Sequence, residues 1–327
     1  MKLGVLVSGG DAPGINAVLY HAWRAAAKGG AALVGFHGGF QGILDSCMQP
    51  LEALDSSLVS SAGSLLSTGR CEAFREEPAR RRVCDALRKN GLDGLVVIGG
   101  NGSLTGARLL GELGFPVIGV PATVDGDVFS TETAVGFATA VQSVSSSLAA
   151  LHNTAAAYPG RIFLLETLGG KKGYLALMSG LASAADMIVI PETHPTAASV
   201  AEKADRVLRQ RGSVIGVVCE GADPAWKNGD QNCIRMYGES IQEKTGVRVR
   251  YSVAGYGLRG EAPVCEDRLF GSWCGHTAVE ALLAGKSGQI TGRIHGEYRL
   301  VQNDPGAGGF QQAHWLATAR QFDVLPE

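Results

Sequence analysis

Short, continuously apolar runs alternate along this chain with longer segments in which apolar residues recur at helical spacing. Apolar runs rich in valine, isoleucine and leucine predict buried strands, and the longer segments predict helices. The predicted strands are Leu3–Val7, Ala32–Phe36, Gly94–Ile98, Val117–Val120, Arg161–Glu166, Met187–Ile190, Ser213–Val218 and Arg248–Val253. The predicted helices are Ala17–Ala27, Ala79–Lys89, Thr105–Leu113, Thr133–Ala149, Tyr174–Ala184, Thr196–Arg209 and His276–Leu283.

This alternation predicts an α/β protein. Strands that are apolar on both faces are typical of parallel sheets covered by helices on each side. A length of 327 residues is long for a single core and suits two domains. We expect two three-layer α/β/α lobes with largely parallel sheets and the active site in the cleft between them. Residues 1–137 with 251–300 are expected to form one lobe, and residues 138–250 with 301–327 the other.

The amino-acid composition argues against several classes of function. Hydrophobic residues make up 45% of the chain and charged residues 18%, as in soluble globular proteins. The net charge of -2 gives no electrostatic reason to expect nucleic acid or an anionic membrane as a partner. No stretch approaches the roughly 20 apolar residues of a membrane span. The seven cysteines form no CxxC pair and no Cys/His metal spacing, so a reducing, cytoplasmic location is expected.

Three motifs follow predicted strands directly. We call them the first loop (Ser8–Gly14, SGGDAPG), the second loop (Gly99–Ser103, GGNGS) and the acidic loop (Pro121–Asp127, PATVDGD). A glycine-rich turn after a buried strand exposes backbone N–H groups, and a following helix adds its positive end. A single glycine pair is equally typical of a structural turn, and Asp11 of a helix cap. Two such turns together favour a polyphosphate ligand.

The acidic loop carries the candidate catalytic groups. In an extended segment Thr123, Asp125 and Asp127 point to the same side, because side chains alternate along a strand. Two carboxylates on one side repel, which makes a metal ion or an incoming hydroxyl a natural partner. One acid can then accept the proton of an attacking alcohol while the other anchors Mg²⁺. The alternative interpretation is an ordinary Asp-Gly-Asp turn without chemistry.

Arginines at loop or strand ends complete this prediction, since arginine suits bidentate phosphate recognition. They are Arg70, Arg75, Arg161, Arg250 and Arg259. Any one of them taken singly is also compatible with a surface charge or an ion pair. Glu220 ends an apolar strand, where it could bind sugar hydroxyls or simply meet solvent. Together with the loops, these residues indicate an enzyme that acts on a phosphorylated substrate, such as a sugar-phosphate kinase.

With these residues in place, nearly the whole chain resembles the bacterial 6-phosphofructokinase family. The resemblance lies in SGGDAPGINA (8–17), IGGNGSLTGA (98–107), PATVDGD (121–127), RIFLLETLGGKKGYLAL (161–177), ADMIVIPE (185–192) and GYGLRGEAPVCEDR (255–268). It implies transfer of the γ-phosphoryl group of ATP to the C1 hydroxyl of fructose 6-phosphate, with Mg²⁺ as cofactor. It also implies a homo-oligomer, usually a tetramer, in which Arg161 and Arg250 reach the sugar phosphate of a neighbouring subunit.

The resemblance assigns roles position by position. Asp125 would be the base, with Thr123 and Asp127 beside it. The residues implied at the donor nucleotide are Gly10, Arg70, Cys71, Arg75, Asn101, Gly102 and Ser103. Those implied at the sugar phosphate are Arg161, Leu168, Gly169, Gly170, Glu220, Arg250, Tyr256 and Arg259. Asn101 and Asp127 are the implied metal-site residues. The first lobe would hold the donor and the second the sugar phosphate.

Several positions depart from the family pattern. Pyrophosphate-using relatives typically carry Asp at position 102 and Lys at position 122, so Gly102 and Ala122 favour ATP over pyrophosphate. Asn101 replaces an Asp used near Mg²⁺, and Gly170 replaces an Arg thought to stabilise the transferring phosphoryl group; Lys171 could partly substitute for it. These changes leave open pyrophosphate as donor, another acceptor such as sedoheptulose 7-phosphate, or a weakly catalytic regulatory subunit that binds sugar phosphate or nucleotide.

Overall fold

The structure, a computed structural model, describes residues 1–223, 225, 233–304 and 312–326. The strands are β1 (Lys2–Ser8), β2 (Ala32–Phe36), β3 (Met48–Pro50), β4 (Gly94–Gly99), β5 (Val117–Pro121), β6 (Ile162–Thr167), β7 (Met187–Val189), β8 (Val214–Cys219), β9 (Val249–Val253), β10 (Gln289–Ile294) and β11 (Glu297–Gln302). The helices are α1 (Ile15–Lys28), α2 (Phe40–Leu44), α3 (Glu77–Lys89), α4 (Asn101–Glu112), α5 (Phe137–Ala157), α6 (Tyr174–Ala182), α7 (Ala197–Arg211), α8 (Cys233–Thr245), α9 (Cys265–Leu283) and α10 (Gln312–Gln321).

The described residues divide into two compact units. The first unit comprises residues 1–139 with 259–304, and the second comprises residues 140–258 with 312–326. Residues 251–258 belong to the second unit because β9 pairs with β6 along its length. The hairpin of β10 and β11 stays in the first unit. No helix among the described residues combines the length and apolarity needed to span a bilayer.

The first unit is built on a seven-stranded sheet in the order β11-β10-β5-β4-β1-β2-β3. Its central pairs are parallel, and only the edge pairs β2–β3 and β10–β11 are antiparallel. From β1 the chain passes to β2 on one side and later returns to β4 on the other. In open parallel sheets, ligands bind beyond the carboxyl ends of strands at such a reversal of strand order.

The second unit is built on a four-stranded, fully parallel sheet in the order β7-β8-β6-β9. Strands β6 and β8 are buried along their whole length. Helix α7 begins with a capping box, in which Thr196 accepts from the Ser199 N–H and the Ser199 hydroxyl accepts from the Thr196 N–H. Such caps stabilise a helix start by about 1 kcal/mol.

All predicted strands and helices form, which confirms the α/β class and the largely parallel sheets. Helix α5 begins only at Phe137, later than predicted, because Val135 first pairs with the acidic loop through its N–H to Pro121 O. The elements that the pattern did not predict are β3, β10, β11, α2, α8 and α10. Strands β3 and β11 are the two edge strands of the first unit's sheet, and α2 has only five residues. The other three elements mix polar and apolar residues, which weakens the periodicity.

Candidate active site

The first loop, the second loop and the acidic loop follow β1, β4 and β5, which are parallel neighbours in the first unit's sheet. They therefore leave the same edge of the sheet side by side, at the reversal of strand order between β1 and β4. The side chains of Val5, Val97 and Ile118 in these strands are inaccessible to solvent. A buried, continuous core holds the three loops at fixed separation.

Neutral side chains and backbone groups brace the first and second loops. The Ser103 hydroxyl of the second loop donates to Ser8 O at 2.9 Å. A Cβ at Gly99 would lie 2.3 Å from the same carbonyl oxygen, so only glycine permits this approach. On the other side, Gly9 N donates to Gly69 O at 3.1 Å, and the Thr68 hydroxyl donates to Gly9 O at 2.8 Å. These contacts bring the segment that carries Arg70 to the first loop.

The acidic loop is tied to the second loop and to itself. Ala122 N donates to Gly99 O at 3.0 Å, and Asn101 Nδ2 donates to Asp127 O at 2.9 Å. Within the loop, Asp125 N donates to the Thr123 hydroxyl oxygen at 3.1 Å. Thr123 is buried and Asp125 is half-buried. The structure thus brings together the predicted Thr123, Asp125, Asp127 and Asn101.

The other predicted donor-side residues lie around helix α4 and the 3₁₀ turn Glu72–Arg75. Arg75 pairs with Glu72 at 3.1 Å on the surface, and the Cys71 thiol donates to Gln41 Oε1 at 3.3 Å. Next to them, the rings of Phe40 and Phe74 stack with centroids 3.9 Å apart. Gly102 faces open space, since a Cβ there would meet no atom within 4 Å.

In the second unit, the predicted sugar-phosphate residues fall into two groups at opposite ends of the sheet. Leu168, Gly169 and Gly170 follow the carboxyl end of β6, and Glu220 follows that of β8. Gly170 N donates to Glu220 Oε1 at 3.0 Å. Arg161, which precedes β6, lies at the amino end, where its guanidinium packs over the Tyr158 ring at 5.5 Å.

Arg250 lies near the same amino end as Arg161, at the second position of β9, with Nη1 donating to Arg248 O at 3.3 Å. Because β6 has six residues, the two ends of the sheet lie about 20 Å apart. Within one chain, Arg161 and Arg250 are therefore not brought to Glu220. Tyr256 follows the carboxyl end of β9 and is largely exposed.

Arg259 lies in the first unit, against the first loop. Its Nη1 donates to Asp11 O at 2.9 Å. A Cβ built on Gly10 would lie 2.4 Å from that nitrogen, so the guanidinium covers the glycine directly. The sequence grouped Arg259 with the sugar-phosphate residues, and the structure places it beside a residue that the sequence assigned to the donor.

Two buried carboxyl groups were missed by the sequence analysis. Glu166, the fifth residue of β6, is 3% exposed. Burial raises its pKa to about 7; nearby Glu220 adds to the rise and a hydrogen bond from the Ile234 N–H opposes it. Its Oε2 is enclosed and has no hydrogen-bond partner within the described part of the chain. A single Glu inside an apolar run was the only sequence signal.

Asp267, in the first turn of α9, is the second missed carboxyl group. Its Oδ1 accepts from Gly136 N at 2.9 Å and its Oδ2 from Thr139 N at 2.7 Å. The Thr139 hydroxyl also donates to Oδ2 and accepts from Val264 N at 3.0 Å. Burial raises the pKa of Asp267, and these hydrogen bonds oppose the rise. Asp267 thereby joins the exit of the acidic loop to the segment that follows Arg259.

Among the described residues, no cluster of three or more His, Cys, Asp or Glu side chains could enclose a metal ion. Asn101 and Asp127 offer one amide oxygen and one carboxylate. That small oxygen set fits Mg²⁺, which usually takes one or two carboxylates and completes its shell with water and substrate phosphates. It does not fit a metal caged by protein ligands alone.

The fold and these loops define an α/β protein in which glycine-rich loops and an acidic loop leave one edge of a largely parallel sheet. The model of the phosphofructokinase family matches residues 2–282, and the chain belongs to that family. It is 36% identical over 303 residues to the ATP-dependent 6-phosphofructokinase of Natranaerobius thermophilus, covering 92% of this chain and 91% of that protein. It is 38% identical over 292 residues to the enzyme of that name from Thermotoga neapolitana, covering 88% of each.

Solved structures agree with this assignment. The phosphofructokinase of Pichia pastoris in its T-state superposes with a TM-score of 0.85 at 26% identity, over 98% of this chain and 36% of that one. The pyrophosphate-dependent phosphofructokinase of Marinobacter aquaeolei superposes with a TM-score of 0.82 at 20% identity, over 100% of this chain and 95% of that one. The latter likeness concerns the fold alone.

Proposed function

We propose that this protein is an ATP-dependent 6-phosphofructokinase, which transfers the γ-phosphoryl group of ATP to the C1 hydroxyl of fructose 6-phosphate. The observation that carries the proposal is the acidic loop, which is hydrogen-bonded to the second loop through both Asn101 and Gly99. A proton acceptor is thereby fixed beside a glycine-rich anion site. The curated relatives named for this activity match along most of their length, which supports the choice.

In the proposed reaction, the C1 hydroxyl oxygen of the sugar phosphate attacks the γ-phosphorus of ATP. Asp125 accepts the proton that this hydroxyl loses. The bond between that phosphorus and the β–γ bridging oxygen breaks, and ADP leaves with the electron pair. The Thr123 hydroxyl holds the Asp125 N–H and so fixes the backbone that carries the base. Phosphoryl transfer depends chiefly on positioning and charge stabilisation, which suits a site built from braced loops.

Mg²⁺ would be held by Asp127 and the Asn101 amide oxygen, together with phosphate oxygens and water. When bound, it would neutralise charge on the donor phosphates. The Asn101 amide oxygen remains available to a metal ion because only the Nδ2 group contacts Asp127 O.

We assign the phosphate donor to the first unit and the sugar phosphate to the second. Glu220 and the Leu168–Gly170 segment are the proposed ligands of the sugar phosphate. We expect the enzyme to act in the cytoplasm.

ATP rather than pyrophosphate is supported by Gly102 and Ala122. The space beside Gly102 leaves room for a nucleotide. Ala122 is 1% exposed, so a lysine there would have to extend from a buried position. Gly102→Asp should fold normally, since its Cβ meets nothing, and should lower kcat/KM with ATP more than with pyrophosphate. Equal effects on both donors would contradict the assigned role of Gly102.

We further propose a homo-oligomer, a tetramer by analogy with the family, whose sugar-phosphate sites are shared between subunits. The supporting observation is that Arg161 and Arg250 lie at the opposite end of the sheet from Glu220. One chain cannot direct all three side chains at one small ligand.

Subunit complementation tests sharing of sites. Arg161→Ala and Glu220→Ala chains should each be inactive alone, and their mixed oligomers should regain part of the activity because some sites have both residues intact. The control takes Arg161→Ala chains alone through the same dissociation and reassembly. Mixed oligomers confirmed by native mass spectrometry that stay inactive would overturn the shared site.

The decisive assay offers ATP and pyrophosphate as donors to a panel of sugar phosphates that includes fructose 6-phosphate and sedoheptulose 7-phosphate. Labelled phosphate should move from ATP to fructose 6-phosphate with the highest kcat/KM. A preference for sedoheptulose 7-phosphate would change the proposed acceptor. A preference for pyrophosphate would change the proposed donor. Failure of every pair would reject the kinase assignment.

A regulatory, weakly catalytic subunit is the second candidate, favoured by Asn101 and Gly170. Gly170 has φ 55°, in the left-handed region, so an arginine restored there would be strained. Binding of sugar phosphate or nucleotide without turnover, combined with a change in the activity of a partner enzyme, would support this candidate.

A further inference from the structure

Glu166 lies near the end of the second unit's sheet to which the sugar phosphate is assigned. Its register partner in β8 is Val218, and Glu220 lies two residues beyond Val218. Glu220 N continues the strand pairing by donating to Thr167 O at 3.0 Å. Because side chains alternate along a strand, Glu166 and Glu220 leave the sheet on the same face. Glu220 Oε1 then reaches Gly170 N, so the buried and the ligand-binding carboxyl groups are neighbours.

The carboxyl group of Glu166 is enclosed and only partly hydrogen-bonded. It accepts from the Ile234 N–H in the first turn of α8. Its Oε2 is inaccessible to solvent and has no hydrogen-bond partner among the described residues. A carboxylate oxygen buried without a donor is costly, so this enclosure favours the protonated acid. Since Glu166 is enclosed, it cannot contact a sugar phosphate itself and can act on one only through its neighbours.

The titratable and charged groups around Glu166 come from the elements packed against it. They are Glu220 and Asp223 after β8, Cys233 and Arg235 in the first turn of α8, and Tyr251 in β9. The Arg235 guanidinium packs over the Tyr251 ring at 5.5 Å. Burial raises the pKa of Glu166 to about 7, and Glu220 adds to the rise. Glu166 therefore changes from largely neutral to largely charged across the neutral pH range.

We propose that Glu166 is a positioning residue of the sugar-phosphate site, which supports binding while it is neutral and weakens binding once it is ionised. This inference rests on the proposed function and adds a residue that does not touch the ligand. Ionised Glu166 places a second negative charge beside Glu220, close to the end of the sheet assigned to the phosphorylated ligand. The repulsion acts on the ligand's phosphate group and on the Glu220 carboxylate that holds Gly170 N. Binding should therefore be accompanied by uptake of a proton from the solvent at Glu166.

Titration calorimetry with fructose 6-phosphate, on the full-length protein without ATP, tests this role without needing turnover. Glu166→Gln has the shape of the neutral acid, so its Kd should match that of the wild type at about pH 6. At about pH 8.5 the wild type should bind roughly 3- to 10-fold more weakly than Glu166→Gln, the effect of one charge several ångströms away in partly polar surroundings. Titrations in buffers of different ionisation enthalpy should show that the wild type takes up more protons near pH 7 than Glu166→Gln. Titration of the ligand's own phosphate is common to both proteins.

Glu202→Gln is the matched control, because it makes the same chemical change at an exposed position of the second unit. It should keep the pH dependence of the wild type. In kinetic assays the pH effect should appear in the KM for fructose 6-phosphate rather than in kcat. A purely structural role predicts instead that Glu166→Gln binds more weakly by the same factor at every pH. That result, or identical pH profiles for the wild type and Glu166→Gln, would overturn the inference.

Should Glu166→Gln fail to fold, proton uptake by the wild type decides. Uptake that only follows the titration of free fructose 6-phosphate would overturn the inference, and additional uptake near pH 7 would support it. A wild type that binds fructose 6-phosphate with this pH dependence but transfers no phosphate would reject the proposed function and leave the role of Glu166 standing. A wild type that binds no fructose 6-phosphate at any pH would reject both.

Discussion

The sheet edges of the two units contrast in how they present polar groups. In the first unit, hydroxyl, amide and backbone groups brace the loops around Gly10 and Asp125, and the Arg259 guanidinium donates to Asp11 O. In the second, carboxyl and thiol groups dominate, with Glu166, Glu220 and Cys219 close together. Burial raises the pKa of the Cys219 thiol, which donates to Gly170 O.

This difference should give the two sheet edges a different dependence on pH. Backbone and guanidinium donors do not titrate near neutrality, so the first unit should bind its ligand with little dependence on pH. The second unit contains a carboxyl group that titrates near pH 7, so pH dependence should enter there. The predictions below test this contrast, beginning with the largest expected effect.

Removal of the acceptor group in the acidic loop should have the largest effect. Asp125→Asn cannot take a proton, so kcat should fall by about 10²- to 10⁴-fold, the range for general base catalysis. The Kd for ATP should stay unchanged, as calorimetry would reveal. Asp93→Asn, at an exposed position where Asp93 accepts from Lys2 N, is the control and should keep full activity. Retained turnover in Asp125→Asn would refute the role of the base.

Glu166 should make the stability of the protein fall as pH rises. Its folded pKa of about 7 exceeds its ordinary value of 4.5, so the folded state binds more protons between these values. The free energy of unfolding should therefore decrease from pH 4.5 to pH 7 and then level off, by about 3 kcal/mol in total. Urea titrations across this range should show a flatter profile for Glu166→Gln. The exposed Glu202→Gln, by contrast, should keep the wild-type slope.

Loss of the buried Asp267 carboxylate should lower the stability nearly as much as the titration of Glu166 does. In Asp267→Asn the new NH2 group faces a backbone donor in either orientation, Gly136 N or Thr139 N, and the hydrogen bond at that position is lost. The free energy of unfolding should fall by about 2–3 kcal/mol, as for an unsatisfied buried donor. Thr139→Val removes the hydroxyl that donates to Oδ2 and accepts from Val264 N, so it should also lower the free energy of unfolding, by a similar amount. An Asp267→Asn variant as stable as the wild type would contradict this account.

The smallest predicted effect concerns position 101, where this chain has Asn and the family pattern has Asp. Asn101→Asp would place a carboxylate against Asp127 O, where Nδ2 now donates. We expect a stability loss of about 1–2 kcal/mol and a lower kcat, because the acidic loop shifts. Asn90→Asp is the control: Asn90 Nδ2 makes a similar contact with Ala86 O, and this change should leave kcat unaltered. A gain in kcat for Asn101→Asp would show instead that the site lacks a charge.

Much of the candidate site could be predicted because its residues are adjacent in sequence to strands. A polar or glycine-rich segment that follows an apolar run predicts a loop at a strand end, and the first loop, the second loop and the acidic loop do follow β1, β4 and β5. The second-unit assignments remain predictions, although the structure brings Gly170 to Glu220. Arg259 could not be placed from sequence, because its partner Asp11 lies 248 residues away along the chain.

The sequence by itself determined the α/β class, the positions of the buried strands and the loops at their carboxyl ends. These follow from local apolar periodicity and from the backbone freedom of glycine, which act over a few residues. Only the tertiary structure decided which strands are neighbours, that Arg259 covers Gly10, and that Glu166 and Asp267 are buried. Strand order, burial and the pKa of a carboxyl group depend on contacts between distant segments, and no local pattern specifies them.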